Sequence, residues 1–510
     1  MSDSPKKPFL DRIFEFLPGF GTWLMLLSPI WLGLIAPQIV AIMLAFFSIY
    51  WVFMAFMTST GALIGYYRFK KETSTDWNQK CKDLDFEKLP EPSTRPEGLT
   101  ATKHLILVPT VNEPLGVLDQ TFKALSEQSF ELKQNMFVAV SCEERGAASV
   151  GESISILRER YKEQIPNILF YVHPAGIPGE LIGGGAGNRT WGATHAIEEL
   201  KSKGENLRNF IFTTFDADTI IHKEFISRLT YAYLTCPKRD NRFYSTALFL
   251  FDNNIWDVHP MMRIEANSIT LGALGSWTIN QDTQETFSCY SASLDTLIAA
   301  NFWDVTLIDD TVFYWRAFFA RKGDFKAVVF YTPNSSDAVH GQTFLKAHVS
   351  LYKQLVRWGW GSVTTQLALS GFVREKGIPL GTKLMWMYAK IERHLIMRTI
   401  VFLMTFGFGI MTLVNESVRQ TTIAYRLPNT MSLILTIGLL FMIPFSILRK
   451  KLAAPFPRTM PWWRKIIILC EGPLIFINLL TFSFIPFLEA ETKMMFGKRY
   501  KSLHFTPKYR

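Results

Sequence analysis

The chain has 510 residues, 48% of them hydrophobic and 19% charged, with a mean hydropathy of +0.12 and a formal charge of +10 at pH 7. It is too apolar for an ordinary soluble protein and too charged for membrane helices alone, which leaves a mixed architecture. The basic residues cluster beside apolar segments and no nucleic-acid-binding module is present, so a membrane surface is the expected partner of that charge and nucleic acid is not.

Five apolar stretches approach the roughly 20 residues that a helix rising about 1.5 Å per residue needs to cross a bilayer core. The first two, 22–36 and 39–66, are separated by Pro37 and read as a buried hairpin, the first short enough to be re-entrant or tilted. Lys6, Lys7 and Arg12 precede them and Arg68, Lys70 and Lys71 follow. By the positive-inside rule, both ends of the hairpin and the large middle region then face the cytoplasm. The stretch from Leu89 to Gly98 reads as a linker into that region.

The middle region opens with His104-Leu105-Ile106-Leu107-Val108-Pro109, an apolar run stopped by proline and followed by Asn112-Glu113-Pro114. It reads as a buried strand ending in a loop, with a helix over 115–128 and a second strand over 136–140 after it. Strand, helix, strand implies parallel pairing with a right-handed crossover. Ligands in such sheets bind beyond the carboxyl ends of the strands, where Asn112, Glu113, Glu143 and Asp216 fall.

Asp216-Ala217-Asp218 follows the apolar run Phe210-Ile211-Phe212. Alternate residues of an extended chain point the same way, so this pair can hold a hard cation, Mg2+ or Mn2+, against a diphosphate; a solvated loop is the plain alternative. Asp309-Asp310 precedes a helical stretch through Ala320. Acids are favoured at helix starts, and a carboxylate there can also take a proton from an acceptor hydroxyl. Gln354-Leu355-Val356-Arg357-Trp358-Gly359-Trp360-Gly361 reads either as an interfacial aromatic anchor or as an indole for a sugar face beside an arginine for a diphosphate.

The remaining apolar stretches are 394–414, 431–448 and 466–488. Arg449, Lys450 and Lys451 place their loop inside. A full crossing by the last stretch, which Pro473 and Pro486 interrupt, would put the basic tail outside, so that stretch is either re-entrant or an exception to the rule. Cys81, Cys142, Cys236, Cys289 and Cys470 show no C-x-x-C or zinc-ligand spacing and read as free thiols.

In order and spacing these motifs resemble those of the membrane-embedded inverting glycosyltransferases of family 2, the group of the cellulose, chitin and hyaluronan synthases. Val108-Pro109-Thr110-Val111-Asn112-Glu113 is similar to the family's opening strand and Asn-Glu pair, and Asp216 and Asp218 to its D-x-D. Asp309-Asp310 is similar to its base motif, and Gln354, Arg357 and Trp358 to its Q-x-x-R-W. Glu143, in Ser141-Cys142-Glu143-Glu144, stands where the family has an Asp-containing segment for the nucleotide base. Arg189, closing the glycine-rich stretch 183–189, stands for the family's lysine.

The resemblance implies an α/β GT-A (Rossmann-like) catalytic domain inserted between transmembrane helices of a polytopic protein. The expected division is a tail with two membrane segments (1–67), a linker (68–100), a cytoplasmic catalytic domain (101–376), an interfacial helix (377–393), about three membrane segments (394–490) and a basic tail (491–510). The implied activity is metal-dependent, inverting transfer from a nucleotide sugar, UDP-linked, to a glycan or lipid-linked acceptor at the cell membrane. Asp310 with Asp309 is catalytic. Asn112, Glu113, Glu143, Arg189, Asp216 and Asp218 bind the nucleotide sugar, Asp216 and Asp218 the Mg2+ or Mn2+, and Gln354, Arg357 and Trp358 the acceptor and diphosphate. Polysaccharide synthesis with export or assembly subunits is the main expectation. A single-addition glycolipid transferase and a catalytically inactive scaffold of a glycan-assembly complex are the alternatives.

Overall fold

The computed structural model describes residues 8–183, 185–308 and 310–498. Asp309, Gly184, Lys6, Lys7 and the basic tail beyond Lys498 fall outside the described residues. The chain divides into two compact units, one of Gly65–Ser350 and one of the described residues within Met1–Ile64 and Leu351–Arg499.

The Gly65–Ser350 unit is built on ten strands: β1 (Lys103–Thr110), β2 (Met136–Glu143), β3 (Asn167–His173), β4 (Phe210–Thr214), β5 (Ile220–Ile221), β6 (Arg242–Thr246), β7 (Phe249–Leu250), β8 (Tyr290–Ser293), β9 (Lys326–Phe330) and β10 (Asn334–Ser335). Seven form one sheet in the order β3-β2-β1-β4-β8-β6-β9. β1, β2, β3 and β4 pair in parallel, and β8 runs antiparallel to both β4 and β6. β1 and β2 are near-continuous apolar runs, as strands buried on both faces are. Leu105, Ile106, Leu107 and Val108 have no exposed surface, and neither have Val138, Ala139 and Val140. The expected strand at His104, its helix (Leu115–Ser126) and the parallel strand from Met136 are all present. A small sheet, β5-β10-β7, follows the Asp216 turn, so the D-x-D segment is held between β4 and β5.

The other unit is helical. Pro37–Thr73, which runs past its boundary, and Leu380–Val414, Thr422–Leu452 and Leu474–Met495 are each long and apolar enough to cross a membrane. The pair Phe9–Leu26 and Ser28–Ile35, bent by 54°, counts as a fifth if it is one span. The expected stretch 466–488 divides into the helices Trp462–Leu469, Leu474–Leu480 and Ile485–Met495, with Pro473 and Pro486 at the starts of the last two, where a missing N–H costs nothing. Val40, Leu44 and Phe47 pack with Ile400, Leu403 and Met411 in this unit's core. Glu491 is fully buried, accepts a 2.8 Å hydrogen bond from the Thr22 hydroxyl and lies 3.7 Å from Arg398.

Candidate active site

The site forms where the parallel strands end. Glu113 Oε2 accepts hydrogen bonds from the N–H groups of Val111 (2.7 Å) and Asn112 (3.1 Å) and from the Thr110 hydroxyl. Its carboxylate therefore folds the loop after β1 onto itself. Asn112 Oδ1 accepts from the Ser149 hydroxyl at 2.8 Å. At the end of β2, Glu143 is ion-paired with Arg145 at 2.8 Å. Gly146 is required here, since a Cβ at that position would lie 1.7 Å from the Val111 carbonyl oxygen.

The helix Gly185–Ser202 starts beside these loops. Asn188 Nδ2 donates to the carbonyls of Thr110 (3.0 Å) and Ser141 (2.9 Å), while its Oδ1 accepts from the Ser141 hydroxyl at 2.7 Å. One buried amide thus ties the helix start to the ends of both β1 and β2. Asn188 belongs to none of the motifs above, and in the sequence only its position inside the Gly-Ala-Gly-Asn-Arg run marks it.

One residue later, Arg189 is brought under the two acids. Its side chain is 3% exposed, with Nη2 2.9 Å from Asp216 Oδ1 and Nη1 3.3 Å from Asp310 Oδ1. Asp216 and Asp310 are themselves partly open, at 49% and 30% exposure. Burial alone would lower the Arg189 pKa, but the charges of Asp310 and Asp216 outweigh it and the value is raised, so the guanidinium stays charged. Asp216 follows β4, fixed by the Phe215 N–H to Leu107 carbonyl bond of 3.3 Å. Asp310 begins the helix Asp310–Ala320.

Asp218 is placed differently from Asp216. It is 2% exposed, and its Oδ2 accepts the Asp337 N–H at 2.8 Å. The two acids of the D-x-D therefore divide into a part-open one beside Arg189 and a buried one engaged with the segment after β10. Beneath Asp310, Tyr290 has no exposed surface, and burial and then the Asp310 charge push its phenol well above the ordinary value. Cys289 is pushed up to about 12, first by burial and also by Asp216 and Asp310, and is held as a thiol. Gln354, Arg357 and Trp358 share one face of the helix Phe344–Gly359, three and four residues apart and half-buried, in the helical unit. The structure thus brings together Arg189, Asp216 and Asp310, with Asn112, Glu113 and Glu143 at the neighbouring strand ends.

No protein-family model and no curated protein matches the chain. Among solved structures it is similar to the mannosyltransferase PcManGT from Pyrobaculum calidifontis in complex with GDP-Man and Mn2+, at 12% identity and a TM-score of 0.43, over 80% of this chain and 99% of that one. It is also similar to S. aureus TarS 1-349 in complex with UDP, at 10% identity and a TM-score of 0.33, over 78% and 93%. Likenesses this distant carry no weight for function.

The donor set itself decides whether a cation fits. Among the described residues no group of three or more His, Cys, Asp and Glu side chains is assembled to hold a metal. Mg2+ and Mn2+ do not need one: hard cations are often held by one or two carboxylates, with substrate phosphate and water completing the shell. Of the D-x-D pair, Asp216 offers a part-open carboxylate, while Asp218 is 2% exposed with Oδ2 engaged by the Asp337 N–H.

Proposed function

We propose that the protein transfers a sugar from a nucleotide sugar to an acceptor hydroxyl at a membrane, with inversion. The observation that carries this reading is the buried Arg189 cation spanning Asp216 and Asp310, two part-open carboxylates on different elements at the carboxyl edge of the parallel strands. A parallel α/β core with its acids at that edge supports a GT-A-like catalytic unit. The apolar helices support a membrane location, and the resemblance to family 2 supports a glycan or lipid-linked acceptor and a UDP-linked donor.

In this reading Asp310 accepts the acceptor hydroxyl's proton as the hydroxyl oxygen bonds to the anomeric carbon. The bond from that carbon to the diphosphate breaks, the nucleoside diphosphate leaves with the electron pair, and no covalent enzyme intermediate forms. A divalent cation bound by Asp216 and Asp218 would supply charge neutralisation at the diphosphate. Arg189 adds a fixed positive charge where negative charge develops on the leaving group. Glu113 and Asn188 act one step back by shaping the loops around the donor. Gln354, Arg357 and Trp358 enter on the resemblance of their motif alone.

The test is nucleotide release by the detergent-purified protein against UDP-, GDP- and ADP-sugars with Mn2+ or Mg2+, beside Asp310→Asn. Release with one donor, reduced about 10²- to 10⁴-fold in the variant, is expected, since that is what a positioned general base contributes. Equal release by the variant would remove Asp310 from the base position. No release with any donor, acceptors and lipids included, would favour a scaffold.

A further inference from the structure

Arg189 does more in this geometry than offer a cation to a donor. A guanidinium recognising only a diphosphate needs an open fork, yet here the side chain is 3% exposed and its two terminal nitrogens face different carboxylates, 2.9 Å from Asp216 and 3.3 Å from Asp310. The two acids come from separate parts of the chain, one after β4 and one opening the helix Asp310–Ala320. Arg189 itself is anchored by the neighbouring Asn188, which ties the helix start to β1 and β2. A planar fork with donors on two sides can link two such groups; a lysine, with one point charge, cannot hold both at fixed angles.

We infer that Arg189 is a positioning residue that couples donor capture to the alignment of Asp310. One arm rests on Asp216 until the donor's diphosphate displaces it, and the other fixes the Asp310 carboxylate where the acceptor hydroxyl must arrive. No bond is made or broken by Arg189; it exchanges one anionic partner for another. This rests on the transferase reading and adds to it that a residue of the donor side sets the geometry of the proton acceptor.

Loss of leaving-group stabilisation and loss of base alignment both lower kcat in Arg189→Gln, but only alignment needs the planar fork, so the charge-conserving Arg189→Lys separates the two. Arg189→Gln is expected to raise donor KM about 10-fold or more and to lower kcat about 100-fold or more. It is also expected to weaken binding of the free nucleoside diphosphate in calorimetry, with Tm kept within a few degrees. Should Arg189→Gln fail to fold, Arg189→Lys decides: it keeps the charge, so donor KM stays within about 3-fold while kcat falls about 10-fold. A rise in KM with kcat unchanged in Arg189→Gln, or wild-type constants in Arg189→Lys, would overturn the coupling. Absence of any release by the wild-type protein would remove the transferase reading and this inference together, whereas wild-type release with unaltered variants removes the inference alone.

Discussion

His104 shows how a single buried side chain can set a pH dependence. It lies in β1 with no exposed surface, its Nε2 2.9 Å from the Thr230 hydroxyl and its ring edge-on to Phe130. Burial pushes its pKa from 6.5 down to about 3. Between those values the unfolded chain binds a proton that the folded one does not, so stability rises with pH. The contribution is complete above the unfolded value and is lost as pH falls toward the folded one. Wild-type protein should therefore lose stability between pH 6.5 and pH 4.5 more steeply than His104→Gln, by up to about 1.4 kcal/mol per pH unit. Thermal melting of both proteins in detergent across that range measures it, and parallel curves would mean that the folded protein accommodates the charged ring. The same scale separates residue type from residue role at the site. That Asp216, Asp218 and Glu113 are acids at strand ends is evident from the sequence. That Asp218 accepts the N–H of Asp337, 119 positions away, is not, because no local pattern encodes that contact.

The helix Gly185–Ser202 is the element on which the site depends, because its first turns carry both Asn188 and Arg189. It sits so close to β2 that a Cβ on Gly192 would lie 2.4 Å from the Ser141 Cβ and 3.0 Å from Leu107 Cδ1. Replacing Gly192 with alanine improves intrinsic helix propensity by about 1 kcal/mol, but the overpacking opposes it with about 1–3 kcal/mol. The clash should prevail: Gly192→Ala is expected to lower Tm and, by lifting Arg189 off its acids, to lower turnover more than a comparable loss of stability elsewhere would. An unchanged Tm would show that the helix can shift without cost. This element was also poorly legible in the sequence, since a start in glycine reads as a loop, whereas β1, β2 and β4 were plain because strands buried on both faces are continuous apolar runs. The antiparallel strand β8 and the two-residue strands β5, β7 and β10 carry no such run, whereas β3 and β9 do and went unread with β6 all the same.

At the scale of the whole molecule, contacts within the helical unit bear on the membrane path of the chain that charge counting left open. Arg12, near the start of the first apolar helix, donates from Nη1 to the Met494 carbonyl at 3.0 Å and from Nη2 to that of Met495. It thereby caps the end of the helix Ile485–Met495. Beside it, Asp11 is paired with Arg374 at 2.6 Å and accepts from the Ser370 hydroxyl at 2.7 Å, just before the span Leu380–Val414 begins. Residues 11, 12, 374, 494 and 495 therefore lie at one level of this unit. If Arg12 lies inside and the bent pair at the start, Pro37–Thr73, Leu380–Val414 and Thr422–Leu452, each long and apolar enough, all cross, the positive-inside rule returns the chain inside at Arg449, Lys450 and Lys451. The last apolar segment, broken between Leu480 and Ile485, must then enter and leave by the same face to bring Met495 back to Arg12. A re-entrant segment is tolerated at that depth only where protein covers it, and the buried Glu491, held by the Thr22 hydroxyl, fits that condition. Green fluorescent protein fused after Lys498 should consequently fluoresce, as should a fusion after Leu452, while alkaline phosphatase at either point should be inactive. Phosphatase activity after Lys498 alone would instead make Leu474–Met495 a full crossing.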